Sequence, residues 1–352
     1  MGMTLDEARF RIPKRSLPDF WVGDLEKPQQ VLSRASHGQL RTVATSPGGR
    51  ALPVIAYGEA EPLPGRANFN SAFAAKEPEA YADKARRQKP VVYLVGPVHG
   101  HEVEGLTGLA NLISVLESGA DLAGKPRPRL AELAGRCRLV IMPVGNPDGV
   151  ARFEPRCLVG MEHKDIRFWG QGTWSNGEFC EWPQCKRLHP MVGPDVGFLG
   201  CYFNDAGVNP MHDEVFAPMG PEAKAILVIA RAEAPDLTIL LHSSQSPPLM
   251  MRTFCLPMGV QQTIHDLACR HKAMLDQAHL PAASVEFTLP RQRDDGPISL
   301  TSAIYHTSGS PAVVFECPHG VRGQCVVDCQ QILEIQMSLY EAALAQVLEK
   351  RA

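Results

Sequence analysis

Residues 91–105 read VVYLVGPVHGHEVEG. The run from Val91 to Val95 carries no charge, the pattern of a strand buried on both faces, as in mixed or parallel sheets. Just beyond it stand His99, Gly100, His101 and Glu102, and a segment of helical period follows over residues 102–118. In open α/β sheets ligands gather beyond the carboxyl ends of strands, so polar residues that end an apolar run mark a place to look for chemistry.

The same alternation continues outward. RLVIMPV (138–144), LTILLH (237–242) and PAVVFEC (311–317) have strand length and strand composition, and helical periods cover 220–234, 260–278 and 326–349. Upstream, LRTVATSPGGRALPVIAYG (40–58) reads as two strands around a Pro-Gly-Gly turn. The fold class expected is α/β: one large domain with a mixed, mostly parallel twisted sheet flanked by helices. That domain spans residues 36–350. Residues 1–35, with Pro13, Pro18 and Pro28 and no sustained period, form an extension over it, and the polar stretch 60–89 is a surface excursion. Residues 151–215 are rich in Trp, Gly, Pro and Cys with little periodicity, and a long irregular segment inside a compact domain is more often functional than idle.

Composition narrows the function. With 352 residues and 44% hydrophobic content the chain can bury a substantial core. Its 35 Lys and Arg against 38 Asp and Glu leave a formal charge of -3, no footprint for nucleic acid or an anionic membrane. The opening MGMTLDEARFRIPKR lacks the apolar core of a secretory signal, and no apolar run approaches the ~20 residues of a membrane span, so a cytoplasmic protein is expected. Its 10 cysteines are scattered among apolar neighbours as buried thiols; only Cys180 and Cys185, in FCEWPQC, suggest a structural metal or a disulfide.

Three apolar runs end on residues suited to one reaction: the first on His99 and Glu102, the second on His242, the third on Glu316. A catalytic zinc takes three protein ligands from His and carboxylate and keeps one position open. His99, Glu102 and His242 can supply them, and Glu316 can accept the proton of an activated water and pass it on. His101 and Glu104 make a second H-x-x-E pair; His99 is preferred because it lies nearest the strand end, where Gly100 lets the backbone turn. The bland readings are a helix-capping Glu102 with a solvated His, and a Glu316 held in a buried ion pair.

These residues resemble the zinc carboxypeptidases of the M14 type and their succinylglutamate desuccinylase and aspartoacylase relatives, over about residues 40–320. TSPGGRALPVIAYG is similar to the family's S-x-x-G-R hairpin, HGHEVEG to H-G-x-E-x-x-G, PVGNPDGV to the N-P-D-G segment, LLHSS to the third ligand and VVFE to the strand of the catalytic glutamate. The resemblance implies one zinc ion and hydrolysis of a peptide or other amide bond. It also implies an arginine that polarises the scissile carbonyl, for which Arg156 and Arg167 are the candidates; RFW favours Arg167 by its likeness to R-x-W. Where carboxypeptidases have G-V-D-x-N-R-N, this chain has Gly207, Val208, Asn209, Pro210, Met211, His212 and Asp213, so His212 stands in place of the arginine that grips a terminal carboxylate. An imidazole cannot reproduce a bidentate guanidinium clamp. Arg156, His212 and Tyr305 are the expected substrate-binding residues.

The leading expectation is therefore a zinc-dependent hydrolase that cleaves a peptide or other amide bond through metal-activated water, without the usual clamp for a terminal carboxylate. An N-acyl amino acid deacylase is the alternative within enzymes, and a catalytically silent binding protein on the same scaffold is the alternative outside them. Among the remaining polar residues, His265, His271 and His279 are expected on a wet helix face, His306 and His319 beside the pocket, and Asp148 in a turn or behind a ligand histidine.

Overall fold

The computed structural model describes residues 2–251, 253–285 and 298–351. Nine strands are assigned among them: β1 (Gln39–Thr45), β2 (Ala51–Tyr57), β3 (Val91–Val95), β4 (Arg138–Met142), β5 (Gly172–Trp174), β6 (Val196–Leu199), β7 (Leu237–Ser244), β8 (Leu249–Met251) and β9 (Ala312–Pro318). The helices are α1 (Leu5–Phe10), α2 (Glu26–Ser33), α3 (Phe69–Ala74), α4 (Val103–Ser118), α5 (Pro128–Gly135), α6 (Pro147–Arg152), α7 (His163–Ile166), α8 (Pro221–Glu233), α9 (Met258–Gln277), α10 (Leu300–Ser308) and α11 (Cys329–Glu349).

Seven strands form one mixed sheet in the order β1-β2-β4-β3-β7-β9-β8. Its centre, β4-β3-β7-β9, is parallel, and the pairs β1–β2, β2–β4 and β8–β9 are antiparallel. Side chains alternate across β3: Val92 and Leu94 join the core shared with α4, α5, α9 and α11, while Val91, Tyr93 and Val95 face α8 and α10. Covered on both faces, the central strands have no solvent side, and this is why they are mainly apolar; their polar residues, such as Arg138 on β4, His242 and Ser243 on β7 and Glu316 on β9, lie toward the strand ends. None of the helices among the described residues is long and apolar enough to cross a membrane.

The chain's first residues are bonded to α4. Thr107 Oγ1 accepts from the Val22 N–H at 3.0 Å, and Asn111 Nδ2 donates to the Phe20 carbonyl at 2.9 Å. The 60–89 excursion contains α3 and two short 3-10 turns. Cys180 and Cys185 are buried thiols in a small apolar cluster with Met191 and Phe203. His271 departs from its expected wet face: it is buried, its Nε2 lies 3.0 Å from Ser338 Oγ, and burial pushes its pKa down to about 4. The reason is that α9 packs along α11 on the side His271 occupies.

Glu222, in the first turn of α8, is also buried. Its Oε2 accepts from Asn204 Nδ2 at 3.0 Å, Oε1 has no partner among the described residues, and burial pushes the pKa up to about 7. A carboxyl raised in the folded state binds more protons there than in the unfolded chain, so its contribution is present at low pH and lost as pH rises through about 7. Glu222→Gln keeps an acceptor for Asn204 without the charge. It should flatten the fall in melting temperature between pH 5 and 8 and stabilise the alkaline end by roughly 1–3 kcal/mol; an unchanged pH profile would show that Glu222 is ionised without cost.

Candidate metal centre

The site lies at the carboxyl ends of β3, β7 and β9. After β3 the chain turns through His99 and reaches Glu102, which occupies the N-cap position of α4 but makes no side-chain cap. Gly100 permits a close approach rather than a left-handed turn: a Cβ there would come within 2.0 Å of the Gly149 backbone in the N-P-D-G segment. Asp148 of that segment serves the hairpin turn, accepting from Ser46 Oγ at 2.6 Å, Arg50 Nη1 at 2.8 Å and the Gly48 and Asp205 N–H groups at 3.0 Å each. It therefore ties the S-P-G-G-R turn to the floor of the site.

His99 Nδ1 and His242 Nδ1 each lie 2.9 Å from an oxygen of Glu102. His99, Glu102 and His242 are all buried, and one ligand atom from each falls within 4.8 Å of the others. Among the described residues this is the one group of three His, Cys, Asp or Glu so arranged. Burial opposes ionisation of Glu102, but the two imidazoles outweigh it and hold the carboxyl well below its usual range. Glu102 Oε2 nevertheless lacks a well-directed hydrogen bond, as does His242 Nε2. Convergent donors that fail to satisfy one another fit a cation, and two imidazoles with one carboxylate are the donor set of an open catalytic zinc site.

The second H-x-x-E pair is used differently. Glu104 Oε1 accepts from His319 Nδ1 at 3.1 Å, both side chains fully buried, and this pair joins the first turn of α4 to the end of β9. His101 Nε2 is 4.0 Å from Glu102, and burial pushes the His101 pKa down to about 3.

Glu316 is set beside the His-Glu-His group by strand register, for β7 and β9 pair in parallel with His242 opposite Glu316. Burial pushes its pKa up to about 7; His242 opposes the rise and Glu102 adds to it.

Two residues at the centre were not anticipated. Asn209 Oδ1 lies 3.2 Å from His99 Nε2, so with Nε2–H donating, the Nδ1 lone pair is directed at the metal position. Tyr202 stacks on the His99 ring with centroids 4.0 Å apart and planes 19° from parallel. Both come from the irregular insert, where no periodicity flags a position; the only sequence signal for Asn209 is its place in G-V-N, where the family has G-V-D.

The expected substrate-binding and oxyanion residues are dispersed. Arg167 opens a π-helical turn, Arg167–Gln171, pairs with Glu181 and lies over the Phe179 ring at 4.4 Å. Arg156 is exposed and pairs with Asp24 at 3.2 Å, while its carbonyl accepts from Trp21 Nε1. Tyr305 packs edge-on against Phe69 with centroids 5.6 Å apart, and His306 Nε2 donates to the Cys255 carbonyl at 3.0 Å. His212 does belong to the site's surroundings: it ends the turn Pro210–His212 that Asn209 caps, and accepts from Lys186 Nζ at 2.7 Å.

Residues 31–244, more than half the chain, match the profile of the zinc carboxypeptidase peptidases. The protein belongs to the zinc carboxypeptidase family. It is thereby placed among zinc-dependent hydrolases, and the matched stretch includes His99, Glu102 and His242, which could hold a metal, but ends before Glu316. No curated protein matches the sequence. Among solved structures, a metallo-carboxypeptidase from Burkholderia cenocepacia is similar at TM-score 0.58 and 15% identity, covering 94% of this chain and 71% of that one. A carboxypeptidase A from Helicoverpa armigera is similar at TM-score 0.53 and 14% identity over 99% and 80% of the two chains. A metallo-carboxypeptidase from Pseudomonas aeruginosa, in complex with (2-guanidinoethylmercapto)succinic acid, is similar at TM-score 0.53 and 11% identity over 91% and 68%. At these identities the likeness is one of fold, and this family member shares the mixed sheet and helical layers of its relatives.

Proposed function

We propose that this carboxypeptidase-family protein hydrolyses an amide bond, with His99, Glu102 and His242 holding one zinc ion and Glu316 moving the proton. The observation that carries the reading is the register of β7 and β9, which sets the carboxyl of Glu316 beside a buried His-Glu-His group. Zinc in such a site supplies Lewis acidity, polarising a carbonyl and acidifying water. Glu316 accepts the proton of the attacking water and returns it to the leaving nitrogen, the task of a carboxylate set within reach of the reacting atoms. Asn209 and the Tyr202 ring hold His99 in one tautomer and one orientation. Arg167 is the proposed oxyanion partner on the strength of its R-F-W sequence, exchanging Glu181 for substrate. The reducing compartment expected for the chain suits its cysteines, all of them thiols.

A peptide is the leading substrate. The absence of an arginine at His212 favours keeping an N-acyl amino acid as the second. A panel of N-acyl dipeptides and N-acyl amino acids, offered to zinc-loaded protein, separates them by the bond that breaks. Release of a C-terminal amino acid from the dipeptides supports the peptidase; release of the acyl group alone supports the deacylase. No cleavage of either class would refute the hydrolytic reading.

A further inference from the structure

Lys186 is the most conspicuous charge near the metal centre that the reaction does not use. It sits on the short turn Gln184–Lys186 inside the irregular insert, next to the buried Cys185. Its Nζ donates to His212 Nε2 at 2.7 Å and lies 4.9 Å from the centre of the Trp182 ring. His212 stands three residues after Asn209, whose Oδ1 meets His99, and the Asn209 N–H donates to His189 Nε2 at 2.9 Å. The ammonium is thus tied to the ligand shell through one turn of chain, Asn209 to His212.

The environment of that ammonium is cationic and incomplete. Burial pushes His212 down to about 3, and Lys186, His99 and His242 push it the same way, so His212 is a neutral acceptor for Lys186 and lies within electrostatic reach of both ligand histidines. Burial lowers the Lys186 pKa as well. Among the described residues no carboxylate pairs with it; the nearby Asp213 is occupied by the backbone N–H groups of Glu214, Met219 and Gly220. A half-buried ammonium bears a desolvation cost that an anion would offset. One neutral imidazole and one aromatic face leave N–H donors for that anion.

We propose that Lys186, held by His212 and the Trp182 ring, binds a carboxylate of the substrate and so selects carboxylate-bearing amides. This rests on the reading of the adjoining His-Glu-His group as the catalytic centre. It differs from a guanidinium clamp in chemistry: a single point charge contributes affinity for an anion without the two-pronged geometry an arginine imposes. It also gives the insert a task, since the turn that carries Lys186 is anchored by Cys180 and Cys185 in the cluster with Met191 and Phe203.

The test compares N-acetyl amino acids with their C-terminal amides, by calorimetric binding to zinc-loaded protein and by KM for the corresponding N-acyl dipeptides. Wild type should prefer the acids by about 10- to 100-fold, the range of a hydrogen bond to a charged group. Lys186→Met and Lys186→Gln should both erase that preference with zinc content and melting temperature retained, and Lys186→Arg should restore part of it. A wild type indifferent to the carboxylate, or a preference that survives Lys186→Met, would overturn the assignment. Because binding is read without turnover, an acid preference that depends on Lys186 in a protein that cleaves nothing would uphold the anion site and sink the hydrolase.

Discussion

Replacing Glu316 by glutamine should lower kcat by about 10²- to 10⁴-fold, the range spanned by positioned general acids and bases, and leave zinc content unchanged. The side chain is half-buried near the end of β9, opposite His242, and its pKa is raised to about 7 chiefly by desolvation. Glutamine has the same shape and keeps an oxygen there, so the fold and the three ligands are undisturbed; what it cannot do is take a proton. The signature is a fall in kcat with little change in KM. A Glu316→Gln variant within a few-fold of wild type would make the residue a half-buried structural carboxyl satisfied by its neighbours.

A second large effect is graded by distance from the metal. Asn209→Ala removes the acceptor that fixes the His99 tautomer and should weaken zinc affinity by about 10- to 100-fold, the usual cost of losing a group that orients a ligand. His242→Ala removes a ligand outright and leaves Glu102 facing one imidazole instead of two, so its loss of affinity should exceed that of Asn209→Ala. Competition with a chromogenic chelator measures both. Equal losses, or a larger loss for Asn209→Ala, would mean that His242 is not a ligand.

How far the sequence reached depended on which physical constraint shaped each part. The four central strands were legible because burial on both faces favours apolar residues; β3 and β4 fall within the runs that announce them, while β7 and β9 continue past theirs, to Ser244 and Pro318. His99, Glu102, His242 and Glu316 were legible for a related reason: each interrupts or follows such a run, where a polar side chain has no cause to be unless it meets something. Register then did what sequence could not, placing Glu316 opposite His242 across a parallel pair. The ambiguity between the two H-x-x-E pairs also needed three dimensions, since only the structure gives Glu104 to His319.

The insert was opaque. Asn209, Tyr202 and Lys186 sit in a stretch whose path is set by contacts with the rest of the domain rather than by helical or strand period, and its Trp, Gly, Pro and Cys content announces irregularity without naming a position. Gly100 is instructive in another way. The sequence suggests a turn there, but the demand the glycine meets is the 2.0 Å that any Cβ would leave to Gly149, a contact between segments nearly fifty residues apart. His271 was misplaced for the converse reason, because α9 turns that residue towards α11 and a histidine's polarity alone does not say which face is covered.

The most direct measurement is the zinc content of the purified protein and of the double variant His99→Ala/His242→Ala, each dialysed against the same trace of free zinc. About one equivalent per chain is expected in wild type, as one open catalytic site requires, and essentially none in the variant. One equivalent retained by the double variant would contradict the assignment of the two histidines.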